Sequence, residues 1–541
     1  MPFAAKTIKT LALARHASHK WPTRPAECRS TFINGTHVAR LVLSLATFGF
    51  LLLAGCATSN IDSSITTTPE VRGTWITTTA NTAISTPQNT AKTMQRLREI
   101  GLNTVYVEVW KNGYTQFPSE VLDKMIGVHT RPSFFPQNPI GHHDSAKLAA
   151  RDLLQETLIE AHRNGLITIA WFEYGFMAAH KTMMPHLRRL YPELLSRDIN
   201  GSEVAPNGFV WLNPLHPASR KLLLGIVLEA ADKYDLDGVQ LDDRIVWPYI
   251  TMGYDDYTRQ VYASEHDGRQ PPADHKDVEW MRWRADKVNE FARIFVQEIR
   301  ARRPGLIVSL SPAVYPWSWE NYLLEWPKWA AWTEADRITT VSSAAKNITP
   351  RWDEFIPQAY RFSYDDFETT WRAQNEVVKA IGANRTRDLI AGIRIVGDGK
   401  DSSWEQLRDS ILLTRALGNG GHVLWFSRGV LDLYPTELTT FYGGQTTSPH
   451  FPRGWRKQSI PLFRAPQTGA GFAGQQPWFH PNVPRGKYRM IGFDGTSWEY
   501  LNGQPLDRMM ANSGEVYFLV NGQYREVELI LDRREDLMKP R

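Results

Sequence analysis

The stretch Asp237-Gly238-Val239-Gln240-Leu241-Asp242-Asp243-Arg244 carries the decision about the fold. Its centre is short and mostly apolar, and it stops abruptly in two acids and a base. A helical pattern precedes it at about 217–234, where Leu224, Val227 and Leu228 recur at helical spacing. A strand without a polar face has to be covered on both sides, which is the situation of a parallel sheet wrapped by helices.

Seven further runs obey the same grammar. They lie at 71–77, 104–110, 167–173, 306–311, 354–360, 389–395 and 422–427. Helical patterns separate them. Thr86-Pro87 reads as an N-cap with proline at the first helical position, opening a helix to Ile100 with Ala91, Met94, Leu97 and Ile100 on one face. A helix at about 145–164 turns Leu154, Leu158 and Ala161 inward. Val288, Phe291, Phe295 and Ile299 mark another, then Phe367, Trp371 and Val378, then Trp404, Leu407 and Ile411. Eight strands each followed by a helix, over roughly 370 residues, predict an α/β fold of the (β/α)8 TIM barrel kind at 70–445. A doubly wound sheet would carry a glycine-rich turn after its first strand, but Trp75 is followed by Ile76-Thr77-Thr78-Thr79. The chain then changes character. Residues 446–485 are rich in Gly, Pro and Gln, and 487–532 alternate β runs with Asp494-Gly495 and Asn521-Gly522 turns. Residues 446–541 therefore read as an irregular linker and a small β-rich C-terminal module.

The formal charge is +5, but it is unevenly placed. Seven Lys or Arg and a single acid, Glu27, precede Cys56, and the remainder is close to neutral. A nucleic-acid partner is therefore not indicated. Arg40 leads into an apolar run at 41–53, too short to span a bilayer and suited to a signal peptide, which ends in Leu53-Ala54-Gly55-Cys56. That order matches a bacterial lipobox. Residues 1–55 are expected to be a lipoprotein signal peptide with an extended basic start, Cys56 the lipidated residue, and 56–69, rich in Ser and Thr, a tether. By resemblance to Gram-negative lipoproteins, Ala57 in place of Asp directs the expectation to the outer membrane. The only other cysteine is Cys28, so the barrel contains no thiol nucleophile and no cysteine metal site.

In such barrels the chemistry sits where strands end. Glu108, Glu173, Asp242 and Asp243 stand at three of those ends. Paired carboxylates cleave glycosidic bonds: one protonates the leaving oxygen, the other attacks or activates water. Adjacent Asp242 and Asp243 repel, and side chains alternate along a strand, so Asp242 is expected to face inward with Gln240 while Asp243 turns aside towards Arg244. Aromatic residues crowd the same rim. Trp110, Tyr114, Tyr174, Trp247, Trp317 and Tyr360, with Arg244 and Gln358, are the expected substrate contacts; Trp319 joins them, while Trp171 and Trp425 are assigned to packing. No cofactor is implied, since phosphate-loop, dinucleotide and Gly-x-Ser-x-Gly patterns are missing. Adjacent His142-His143, beside Asp144, rarely point at one ion, so no metal site is assigned.

These residues resemble the glycoside hydrolase family 10-like lipoproteins of bacteria. The markers are Val71-Arg72-Gly73-Thr74-Trp75, Leu102-Asn103-Thr104-Val105-Tyr106, Trp171-Phe172-Glu173-Tyr174-Gly175-Phe176-Met177, Trp211-Leu212-Asn213-Pro214, the opening 237–243 stretch with Gly253-Tyr254-Asp255, Ser309-Leu310-Ser311-Pro312 and Pro357-Gln358-Ala359-Tyr360. The resemblance implies a TIM barrel that hydrolyses carbohydrate, one branch cutting peptidoglycan glycan strands stripped of their peptides. It carries over to Asp242 and Asp243. Glu173 stands where many relatives have Asn, and Glu108 is not a general family feature. The resulting expectation is an envelope-attached glycoside hydrolase with a polysaccharide substrate, Asp242 as nucleophile or base and Glu173 or Glu108 as acid. The alternative is a non-catalytic glycan-binding surface lipoprotein with a degenerate barrel.

Overall fold

In the computed structural model, the apolar runs form the eight strands of one parallel sheet; the residues described are 69–130, 152–450 except 165, 235, 383, 445 and 447, and the backbone of five strands between 487 and 531. The eight strands are β1 (Val71–Ile76), β2 (Thr104–Glu108), β3 (Ile167–Phe172), β4 (Gly238–Leu241), β5 (Ile307–Leu310), β6 (Glu354–Phe355), β7 (Ala391–Arg394) and β8 (Gly421–Trp425). Their order is β6-β5-β4-β3-β2-β1-β8-β7. Each strand therefore lies beside its neighbour in sequence, and the last beside the first. The two outer strands also approach one another: Ile390 N donates to Phe355 O at 2.9 Å and Gly392 N to Pro357 O at 3.1 Å. The sheet is curled back on itself, and the C-terminal ends of all eight strands share one face.

Local chemistry starts and stops the helices as the sequence suggests. Thr86 accepts a hydrogen bond from Asn89 N ahead of the helix Pro87–Ile100, and Gly101 ends it in the left-handed region. Met94, Leu97 and Ile100 are its buried face. Val288, Phe291, Phe295 and Ile299 are buried on the helix Val278–Arg302, and Phe367, Trp371 and Val378 on Tyr364–Ala380. The helix Pro217–Lys233 corrects the sequence reading. Its buried face is Leu222, Leu223, Ile226, Val227 and Ala230, while Leu224 and Leu228 are only half-buried. Three consecutive leucines surround this helix with apolar side chains, so spacing alone did not single out the inward stripe.

Five strands, Lys487–Gly492, Ser497–Leu501, Met509–Met510, Val516–Val520 and Gln523–Leu531, form one antiparallel sheet. The signal segment, Cys56, nearly all of the tether and the His142-His143-Asp144 loop lie outside the described residues.

Candidate active site

Register aligns the polar groups inside the curl. Trp171 on β3 pairs with Gln240 on β4, and Gln240 with Ser309 on β5. Gln240 accepts from Trp75 Nε1 at 2.8 Å and donates to Ser309 Oγ at 2.9 Å. Trp75, Trp171, Trp425 and Tyr360 pack together with ring centroids 5.6 to 6.3 Å apart. Each ring buries roughly 150–250 Å², so the strand ends rest on a water-excluding aromatic floor.

Asp242 follows β4 directly, and its side chain is only 4% exposed. Four donors reach it. Trp171 Nε1 (3.1 Å) and Arg244 Nη1 (2.8 Å) serve one oxygen; Asp243 N (2.8 Å) and the Gln358 side-chain amide serve the other. Every contact donates, so both oxygens are used as acceptors, as suits a carboxylate. Burial, then the neighbouring Asp243, pushes its carboxyl well above the usual range, and Arg244 opposes that push. The charge on Asp242 thus leans on Arg244.

Arg244 does not serve Asp242 alone. Its Nη1 lies 3.3 Å from Asp243 Oδ1 and donates to Glu173 O at 3.0 Å, and its Nη2 lies 3.8 Å from Glu173 Oε1. The expected separation of one acid inward and one paired with Arg244 is therefore corrected: one guanidinium is shared among three acids. Close approach of two loops makes this possible. Gly175 has φ +44°, and a Cβ there would lie 2.5 Å from Arg244 O.

Glu108 is wholly buried and accepts from Thr78 N (3.3 Å), the Thr78 hydroxyl and Lys111 Nζ (2.8 Å). Lys111 Nζ is also 3.2 Å from Glu173 Oε2, so it bridges the two glutamates. Burial raises the Glu173 carboxyl; Lys111 pulls it down, Glu108 pushes it up again, and Arg244 adds a downward pull. The cluster holds four acids and two cations, Lys111 and Arg244. Full ionisation would leave uncompensated buried charge, and taking up a proton is the least costly relief. Glu173 and Asp243, each with an 11% exposed side chain, are the members that reach solvent. Two carboxyls pushed upward side by side, one keeping a proton while the other gives its own up, are the pair needed for acid and base work on one bond.

The remaining expected contacts divide. Gln358 holds Asp242, and Tyr360 stacks on Trp425 at 5.6 Å. Tyr174 is buried under the Arg244 guanidinium, 5.9 Å away. Trp317 is 37% exposed and meets Tyr322 edge-on at 5.3 Å, while Tyr322 feels the charge of Asp243. Trp319 is half-buried beneath Arg282. Three residues expected at the mouth lie inside instead. Trp247 is fully buried, donates to Met252 O at 2.8 Å and packs on Trp280. Trp110 is buried because the 174–177 segment covers it, its indole donating to Gly175 O at 3.0 Å. Tyr114 is buried with its hydroxyl 2.7 Å from His186 Nδ1. Two contributors escaped the sequence reading: Lys111, and the hydrogen bond from Trp171 to Asp242. The readable signal for Lys111 was a base three residues beyond a strand-end acid. Among the described residues, no group of three or more His, Cys, Asp or Glu is arranged to hold a metal ion.

A family model described as "Glycosyl hydrolase-like 10" matches residues 70–344. "Glycosyl hydrolase DigH" of Escherichia coli K12 is 24% identical over 303 residues, covering 49% of this chain and 62% of that protein. "Glycosyl hydrolase YngK" of Bacillus subtilis 168 is 21% identical over 351 residues, covering 56% of this chain and 62% of that protein. The chain thus spans under two thirds of these curated relatives. Among solved structures, the PgaB (BpsB) glycoside hydrolase domain from Bordetella bronchiseptica is similar with TM-score 0.48 and 14% identity, over 69% of this chain and 99% of that one.

Proposed function

Because this chain belongs to the glycosyl hydrolase-like 10 family, we propose that its strand-end acids hydrolyse glycosidic bonds of an envelope polysaccharide, peptide-free glycan strands of peptidoglycan being the first candidate. The observation that carries this reading is Arg244 shared between Asp242 and Glu173 in a cluster richer in acid than in base. Glu173, raised by burial and open to solvent on one side, gives its proton to the leaving glycosidic oxygen. Asp242, held by four donors, attacks the anomeric carbon or takes the proton of the attacking water. Glu108 is enclosed by Thr78 and Lys111 and acts by setting the charge around Glu173.

The test measures reducing ends released from peptide-free glycan strands by wild type, Asp242→Asn and Glu173→Gln. Loss of release in both folded variants supports the assignment. Undiminished release in either sinks that residue's role, and glycan binding without any turnover by wild type replaces the hydrolase with a binding protein.

Attachment to the envelope, with the outer membrane as destination, is supported by the lipobox at 53–56 and by Ala57 after it. Cells expressing the protein would be fed labelled palmitate and fractionated. Label in the Cys56→Ser variant equal to wild type would end the lipid-anchor reading.

A further inference from the structure

Beyond the acid cluster, the segment that leaves β6 carries an aromatic ring on the surface. Phe362 is 64% exposed, more than any other large aromatic side chain among the described residues. A single exposed phenyl ring is ordinary on a protein surface, but this one is held rather than loose. The Arg394 guanidinium, at the end of β7, lies 4.4 Å from the ring centroid. Arg394 is itself buried and fixed, donating to Asp398 O at 2.8 Å. Gly399 backs the ring edge, where a Cβ would come within 2.9 Å. The loop bearing Phe362 is tied across to the helix Trp404–Ala416, because Gln406 donates to Arg361 O at 3.0 Å. A cavity of about 370 Å³ opens beside the ring, lined also by Tyr364, Lys400, Ser403, Gln406 and the acids Asp401, Glu405 and Asp409. That size falls within the roughly 300–1,000 Å³ of small-ligand sites.

A ring preset from below, with polar hydrogen-bonding groups around a cavity, matches the chemistry of a pyranose. One sugar face offers C–H groups to an aromatic plane, while sugar hydroxyls donate to carboxylates such as Asp401, Glu405 and Asp409 and accept from the Gln406 amide and the Lys400 ammonium. The position connects this cavity to the candidate active site. Gln358, which holds Asp242, is four residues before Phe362, so the two Cα atoms are at most about 14 Å apart. We infer that Phe362 and its cavity form a distal glycan subsite, holding the polysaccharide a few sugars away from the bond at Asp242. This inference rests on the carbohydrate reading above.

The experiment compares wild type, Phe362→Ala and Phe362→Trp on β-1,4-linked N-acetylglucosamine oligomers of two and six sugars and on peptide-free peptidoglycan strands. It records affinity by calorimetry and reducing ends by assay. The exposed position keeps both variants folded, which circular dichroism checks. Phe362→Ala is expected to weaken binding of the six-sugar probe or the glycan strand about 10-fold and to leave the two-sugar probe as in wild type. Phe362→Trp is expected to restore binding. Equal affinity of wild type and Phe362→Ala for both long probes overturns the subsite, even where wild type cleaves them. Binding that depends on Phe362 without cleavage keeps the subsite and overturns the hydrolase. A wild type that neither binds nor cleaves either long probe overturns the subsite for these glycans.

Discussion

The two ends of the curled sheet each bury a cluster of charge around arginine, and they are built oppositely. At the N-terminal ends of the strands, Glu70 is gripped by Arg72 (2.7 Å) and by Arg415 through both oxygens (2.7 and 3.0 Å). Arg72 reaches Gly444 O and covers Tyr442, whose hydroxyl meets His422. Burial works against the Glu70 charge, but Arg415 and Arg72 outweigh it and hold the carboxyl at about 2. Burial keeps His422 down at about 3, so its ring is neutral. At the C-terminal ends, four acids share two cations, and Asp242 and Glu173 are pushed upward. Excess base around one acid gives a cluster that only holds strands and helices together. Excess acid leaves negative charge poorly compensated, so carboxyls there keep protons more readily, which costs stability and permits proton transfer.

The sharpest way to break this contrast is Asp242→Asn. Turnover of glycan is expected to fall about 10²- to 10⁴-fold, with little change in melting temperature, because the loss of a buried like charge is offset by an Asn amide facing two of the four donors. A melting temperature that falls together with activity would mean that the mouth is a structural cluster like the other.

Glu70→Gln is the mirror experiment. Lowering from 4.5 to about 2 corresponds to about 3 kcal/mol of stability at neutral pH, to order of magnitude. Because the folded pKa is depressed, that contribution is present above the unfolded value and disappears as pH falls through about 2. Denaturant melts at pH 7 and pH 3 should show the variant's deficit shrinking in acid, with turnover per folded molecule unaltered. A deficit that is constant with pH would remove the electrostatic account.

A finer test is Asp243→Asn, since Asp243 is the largest charge pushing Asp242 up. The acid limb of kcat/KM should move to lower pH by about one unit, as Asp242 ionises more readily. An unmoved limb would mean that Asp242 is not the group titrating there. The smallest effect is expected at the rim. Trp317→Ala should raise KM a few-fold and leave kcat alone, whereas Trp247→Phe, in the interior, should change melting and not KM. The reverse pattern would return Trp247 to the cleft.

Much of this was legible beforehand, and the reasons are local. Eight buried parallel strands need eight mostly apolar runs, and such runs cannot be hidden in a sequence. Thr86, Pro87 and Gly101 announce helix ends because capping is decided within a few residues. Glu108, Glu173 and Asp242-Asp243 were noticed because acids that terminate apolar strands stand out. Burial of individual aromatics was not legible. Trp247 and Trp317 both follow strand ends, yet one is sealed and the other open, because coverage depends on loops distant in sequence.

Short-range pattern therefore set the alternation of strands and helices and which acids arrive at strand ends. The pairing of those acids was settled by the folded chain. Arg244 touching Asp242, Asp243 and Glu173, Lys111 joining Glu108 to Glu173, and Phe362 resting on Arg394 each bring together residues from different turns or strands. Charge interactions act across space and grow as water is excluded. The state of each carboxyl is thus set by the curled sheet and its aromatic floor.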